Sequence, residues 1–298
     1  MLNSSPFTPK YQEALYPWLA FPFCFTYSIA IAGDTLILTR IRKTVLHTKK
    51  NKIKIKKICI LASQLGVSAS TLPTVLSVFL FGANETSFET CPLQMFSIHS
   101  FSIMESGVLL AMSVDPFVTI YNPLRYTTLL TLPSIAGTSV TLGLKSFRLK
   151  FLPFCGHNAL SHSYCLHPDI IQLPCGDTCP NSILGLCIMT STFGLDSRPI
   201  LVSRVLIVYT ALNITSGEGR RKALNTCASH MCTVLVYYVP KISVAVVHRL
   251  MKHTVPAVPL FLANIYILVR PMLNPIIYSA KNKQVREGLL QLFLQRKY

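Results

Sequence analysis

The chain predicts an all-α membrane protein, a bundle of seven transmembrane helices with its N-terminus outside and its C-terminus in the cytoplasm. Three observations carry this expectation. Of 298 residues, 51% are apolar and only 13% are charged, whereas soluble domains carry about 25% charge. Apolar windows of roughly 20 residues, the length that spans a bilayer core ~30 Å thick, recur seven times. The net charge of +17 is unevenly spread, with nine of the 28 Lys and Arg residues between Arg40 and Lys57. A basic run beside an apolar span points to membrane topology rather than to nucleic acid. The mean hydropathy of +0.46 excludes intrinsic disorder, a coiled coil and a small disulfide scaffold.

The predicted spans cover about 18–39, 58–81, 92–118, 132–152, 182–212, 223–247 and 257–279, with a tail helix over about 280–295. The fourth span carries Lys145, Arg148 and Lys150 near its end, and the fifth contains Arg198 and Arg204. These spans nearly exhaust the chain, so residues 1–298 form a single transmembrane domain without room for a soluble catalytic unit. No nucleophile–base motif, phosphate loop or metal-ligand spacing is present, and no enzyme is expected.

Orientation follows from the basic residues, which stay in the cytosol. One set of loops and the tail hold 18 Lys and Arg residues, and the other side holds Lys10, Arg249 and Lys252. The excess places the N-terminus outside. The Arg40–Lys57 run also suits anionic lipid head groups, although topology is its simplest role. Met1 to Tyr16 lacks a basic region followed by an apolar core, so no cleavable signal peptide is expected. Asn3-Ser4-Ser5 and Asn84-Glu85-Thr86 are then glycosylation acceptors on the outer side, whereas Asn213-Ile214-Thr215 faces the cytosol and stays bare. Cys91, Cys155, Cys165, Cys175 and Cys179 fall on the oxidising side. Cys24, Cys59, Cys187, Cys227 and Cys232 lie in or near spans and read as small buried hydrophobes. His157, His162 and His167 interleave with the outer cysteines, but no compact ligand pair results, and neither a metal nor another cofactor is expected.

Seven spans alone leave receptor and transporter open. Asn274-Pro275-Ile276-Ile277-Tyr278 supplies a proline that frees a backbone carbonyl, flanked by polar groups able to exchange partners inside a dry bundle. It resembles the Asn-Pro-x-x-Tyr signature of rhodopsin-like G-protein-coupled receptors. Asn122-Pro123-Leu124-Arg125-Tyr126 and the stretch from Lys222 to His230 resemble olfactory receptors. Leu160 to Asp169 and Ser191 to Ser197 resemble the class I, fish-like branch, most closely olfactory receptor family 51. The likeness runs from Pro22 to Arg286.

The resemblance implies a plasma-membrane receptor that binds a small odorant and activates a stimulatory G protein leading to cyclic AMP. It implies a Cys91–Cys165 disulfide joining the third helix to the second outer loop, and a Cys155–Cys175 disulfide within that loop; Cys179 is left without an evident partner. It places the ligand in the outer half of the bundle, with His99, His167, Gly185 and Arg249 lining the site. An arginine there can anchor a small carboxylic acid by charge-assisted hydrogen bonds. Arg249 equally fits a snorkelling interfacial cation, and His99 a satisfied core histidine. Ala245 stands where relatives tend to carry a hydroxyl.

The chain also departs from the pattern. Asp115-Pro116-Phe117 replaces Asp-Arg-Tyr, removing the arginine that latches the resting state and contacts the G protein. Proline in a helix interior costs about 3 kcal/mol and has no N–H. Asp34 replaces an asparagine, and Gln64 replaces the sodium-binding aspartate whose partner Glu105 is present. The first inner loop, Lys49 to Lys57, is much more basic than in relatives, and the fourth span is short. Lys145, Arg148, Arg198, Arg204, Lys241 and Arg270 lie within or at the ends of spans, each costing up to ~2.5–3.5 kcal/mol at a helix centre. Six cations with few acidic partners suggest a decaying copy. Two further readings therefore stand beside the signalling receptor: a receptor-like product with impaired coupling retained in the endoplasmic reticulum, and a transporter, which would need broken helices or paired midplane charges.

Overall fold

Helices dominate because a chain in hydrocarbon must satisfy every backbone polar group within the segment itself. The structure, a computed structural model, describes residues 2–3, 21, 24–39, 52–81, 85–86, 90–121, 131–144, 165, 170, 183, 185, 187, 190, 194–213, 216–250 and 273. These form α1 (Cys24–Thr39), α2 (Lys52–Phe81), α3 (Thr90–Tyr121), α4 (Leu132–Leu144), α5 (Asp196–Leu212) and α6 (Gly217–Leu250). Two short strands, β1 (Leu2–Asn3) and β2 (Glu85–Thr86), pair antiparallel, with Asn3 opposite Glu85. They tie the N-terminus to the connection between α2 and α3.

Two of the described helices hold apolar stretches long enough to cross a membrane, Ile55–Ser77 and Thr90–Asp115, and Cys24–Thr39 and Leu132–Leu144 are shorter apolar helices. Two of the helices begin well before the point that hydropathy alone suggests. α2 starts at Lys52 and α6 at Gly217, so basic residues assigned to inner loops belong to helices projecting past the apolar slab. Lysine and arginine are good helix formers, and a helix has no reason to stop at the hydrocarbon boundary. The seventh predicted span and the tail helix lie outside the described residues, apart from helical Leu273.

α3 is the hub, packing against α2, α4 and α5, while α5 packs on α6. At 32 residues it is about 48 Å long, more than a bilayer core needs without tilt. Its apolar packing centre holds Val108, Leu109 and Ala111 against Ile60 of α2, Ile135 of α4, Ile200 of α5, and Val234, Tyr237 and Tyr238 of α6. Close approach to α4 depends on a small residue: a Cβ on Gly107 would lie 2.7 Å from Ile135 Cγ2. Small residues that let backbones approach drive helix association where lipid is as apolar as leucine.

The distribution of polarity is that of a membrane protein. Ser63, Gln64, Ser68, Thr71, Ser102, Glu105, Ser106, Ser113 and Ser203 are all buried, while Phe25, Leu201, Val205, Tyr209, Leu235 and Val239 face outward, each more than half exposed. In hydrocarbon the outward face must be apolar, and polar groups find partners inside.

Candidate functional site

At the outer end of α3, Cys91 and Cys165 form a disulfide with 5.5 Å between their Cα atoms. One turn further on, Gln94 donates to the Ser70 carbonyl at 2.9 Å and the Thr74 hydroxyl at 3.0 Å. Its Oε1 accepts the Cys165 amide at 2.8 Å. A single carboxamide thus joins α2, α3 and the half-cystine of the following loop. Cys155, Cys175, Cys179 and His167 lie outside the described residues.

Below this, the α3 face carrying His99, Ser102 and Ser106 meets α5 and α6. Tyr237 donates to the Ser102 carbonyl at 2.7 Å. Lys241 Nζ donates to Ser102 Oγ and to Tyr237 Oη, both at 3.2 Å, and lies 5.2 Å from the Tyr237 ring centroid. Ser106 donates to Asp196 of α5 at 2.6 Å and meets the Tyr238 hydroxyl at 3.0 Å. Lys241 is also electrostatically coupled to Asp196. His99, three residues before Ser102, is half-buried, as is helical Gly185. Arg249 belongs to α6 eight residues beyond Lys241, about 12 Å further towards the outer end, and its side chain lies outside the described residues.

Lys241, one of the six cations that the sequence shows with few acidic partners, is instead part of an ordered polar cluster with Ser102, Tyr237 and Asp196. Its spacing from Ala245 and Arg249, two successive steps of four, was the available signal.

Towards the inner end, Gln64 donates to Glu105 at 2.8 Å, which links the two residues identified from the sequence as remnants of a cation site. Asp34 is fully buried nearby in α1, and neither of its oxygens has a hydrogen-bond partner among the described residues. Asp115 forms an ion pair at 2.6 Å with Lys56, which also donates to the Ala111 carbonyl at 3.3 Å. Lys56 therefore is no free loop cation. As the predicted third span implies, α3 continues through Pro116 and Phe117, and it reaches Tyr121. Arg204 of α5 is buried and donates to the Met112 carbonyl at 3.4 Å, and Ser203 donates to the Ser113 carbonyl. Arg204 and Lys241 are therefore engaged, and neither supports the picture of unpartnered charges. Asn274, Pro275 and Tyr278 lie outside the described residues, as does Asn84.

A helix bundle with apolar flanks, a disulfide-pinned outer end and a polar cluster between three of its helices has the character of a multi-pass membrane protein. Comparison with known proteins gives the particular family. The olfactory receptor family model matches residues 23–296. Human olfactory receptor 51I1 is 46% identical over 310 aligned positions, covering 98% of this chain and 98% of its own length. Human olfactory receptor 51I2 is 44% identical, covering 94% of this chain and 92% of its own length. Human olfactory receptor 51E1 is 42% identical, covering 96% and 91% respectively. The chain belongs to the olfactory receptor family, and its relatives are members of family 51. It is accordingly a seven-helix G-protein-coupled receptor of the odorant-sensing type, and not an enzyme.

Proposed function

We propose that the receptor recognises small carboxylic acids between α3, α5 and α6 and signals from the plasma membrane through a stimulatory G protein to cyclic AMP. The observation that carries the ligand class is Lys241, an ammonium held inside the bundle by Ser102 and Tyr237. Two of its partners, beside the neighbouring Asp196, are hydroxyls, which rotate and can turn their lone pairs or protons towards an incoming anion. Arg249, further out on the same helix, supplies a second cation towards the entrance, and His99, His167 and Gly185 complete the expected lining. In a partly dry cavity a charge-assisted hydrogen bond is about twice as strong as a neutral one. An acid therefore gains more than an alcohol or ester of the same shape.

The test separates binding from coupling. Purified receptor is heated with short saturated carboxylic acids or their methyl esters, and the unfolding midpoint is followed. Stabilisation by acids that exceeds stabilisation by esters supports the reading, and equal or no effect from the acids rejects it. A second reading, a receptor that binds but couples weakly, is favoured by Pro116, which offers no charge to a G protein. Acid-dependent stabilisation without agonist-dependent cyclic AMP from surface-delivered protein distinguishes it.

A further inference from the structure

Pro116 sits inside a continuous helix and has no amide hydrogen, so the carbonyl four residues earlier, that of Met112, loses its intrahelical donor. Arg204 of α5 donates to this Met112 carbonyl. The two neighbouring carbonyls of the same turn also receive side-chain donors, Ala111 from Lys56 of α2 and Ser113 from Ser203 of α5. Asp115, whose motif neighbour is proline instead of arginine, receives its counter-charge from Lys56. Arg204 is 5% exposed and the Lys56 side chain 8%, so neither is an incidental surface contact.

We propose that Arg204 and Lys56 are positioning residues that take over the structural duties vacated at position 116. Arg204 replaces the missing backbone donor, Lys56 replaces the missing counter-charge, and together they clasp α2 and α5 onto the inner half of α3. A guanidinium suits the first duty because it is permanently charged and presents donors in a planar fork. An ammonium at 2.6 Å from a carboxylate suits the second, since a partly buried acid without a cation is costly. Pro116 is thus built into the bundle by partners on two other helices. The clasp restores the holding role of the arginine but not its outward contact, because both cations point into α3. It follows that resting-state stability and G-protein coupling are separable in this receptor, whatever ligand it takes.

The experiment is a double-mutant cycle on the full-length receptor, read as the thermal midpoint in detergent. Pro116→Ala returns the amide hydrogen without adding charge. Arg204→Met should lower the midpoint by several degrees more in the Pro116 chain than in the Pro116→Ala chain. Folding of Arg204→Met only in the alanine background is the same result in extreme form. Equal shifts in the two backgrounds, or failure to fold in both, overturn the link between Arg204 and Pro116. For the second duty, Lys56→Asp and Asp115→Lys should each reduce surface delivery several-fold, and their combination should recover at least half of the loss. A double reversal no better than the single changes overturns the Lys56 assignment.

Discussion

The side-chain oxygen of Gln94 accepts the backbone amide of Cys165 at 2.8 Å, three residues along α3 from the cysteine to which Cys165 is bonded. The outer loop is therefore held to α3 twice, once covalently and once through a buried amide whose NH2 group is already committed to α2. Cys91→Ser or Cys165→Ser should abolish surface delivery, since a disulfide of this kind stabilises by about 2–4 kcal/mol. Gln94→Leu keeps the bond but leaves a buried amide without its acceptor, at a cost of about 1–3 kcal/mol, and should reduce delivery less. Staining of an N-terminal tag on intact cells ranks the three variants. Mass mapping that finds Cys91 reduced in folded receptor counts against the pairing.

Arg249 and Lys241 make different contributions to acid recognition. In a variant able to signal, Arg249→Ala should weaken the response to short acids by about 2–5 kcal/mol while sparing neutral ligands, because an enclosed anion loses its partner. Dose–response curves for an acid and its ester check this. Unchanged acid potency after the substitution removes Arg249 from the site.

Lys241→Met retains length and apolar volume while removing the charge that joins Ser102 and Tyr237. It should abolish the preference for acids over esters at equal surface level. The Ser102–Tyr237 bond does not need the ammonium, but Asp196 loses a neighbouring cation, so acid and ester responses are compared in cells matched for surface receptor. Retention of the full preference in the methionine variant would falsify the role given to Lys241.

Coupling depends on position 116. On the second reading, in which binding is kept and coupling is weak, the receptor as it stands should give little agonist-dependent cyclic AMP even at the surface, because proline presents no charge to the G protein. Pro116→Arg should raise the response more than any other single change. Because Lys56 already occupies Asp115, the returned arginine is free of its usual acidic neighbour, and basal activity should rise along with the agonist response. Strong signalling from the unmodified Pro116 protein would mean that coupling runs through the inner loops without that arginine.

Packing between α3 and α4 supplies a further check. Gly107→Val places its first carbon where Ile135 Cγ2 already lies 2.7 Å away, and overpacking of this kind costs about 1–3 kcal/mol. The thermal midpoint should fall, and Ile135→Ala in the same chain should recover part of it. No recovery would place the strain elsewhere.

Hydropathy, basic asymmetry and local motifs determined the class of the molecule, because each is a property of a short segment and needs no neighbour. An apolar run is forced into a helix by the bilayer, and lysines are retained on the cytoplasmic side whatever the helices later pack against. The Cys91–Cys165 pairing and the Gln64–Glu105 relation were likewise legible, since both positions stand in recognisable stretches. The fate of individual charges was not. Lys56 looked like one more loop cation, although it continues the buried α2 stripe of Ile60, Ser63, Gln64 and Val67 at helical spacing. Arg204 and Lys241 looked like defects. Their cost depends on which groups from other helices lie within about 3.5 Å, and those groups, Met112 for Arg204 and Ser102 for Lys241, are distant in sequence. The sequence alone therefore determined the class of the molecule, a seven-helix membrane receptor of the olfactory family. Only the packing of α2, α5 and α6 around α3 decided which buried charges and orphaned carbonyls would meet, because hydrogen bonds and ion pairs act over a few ångströms and register between helices sets those distances.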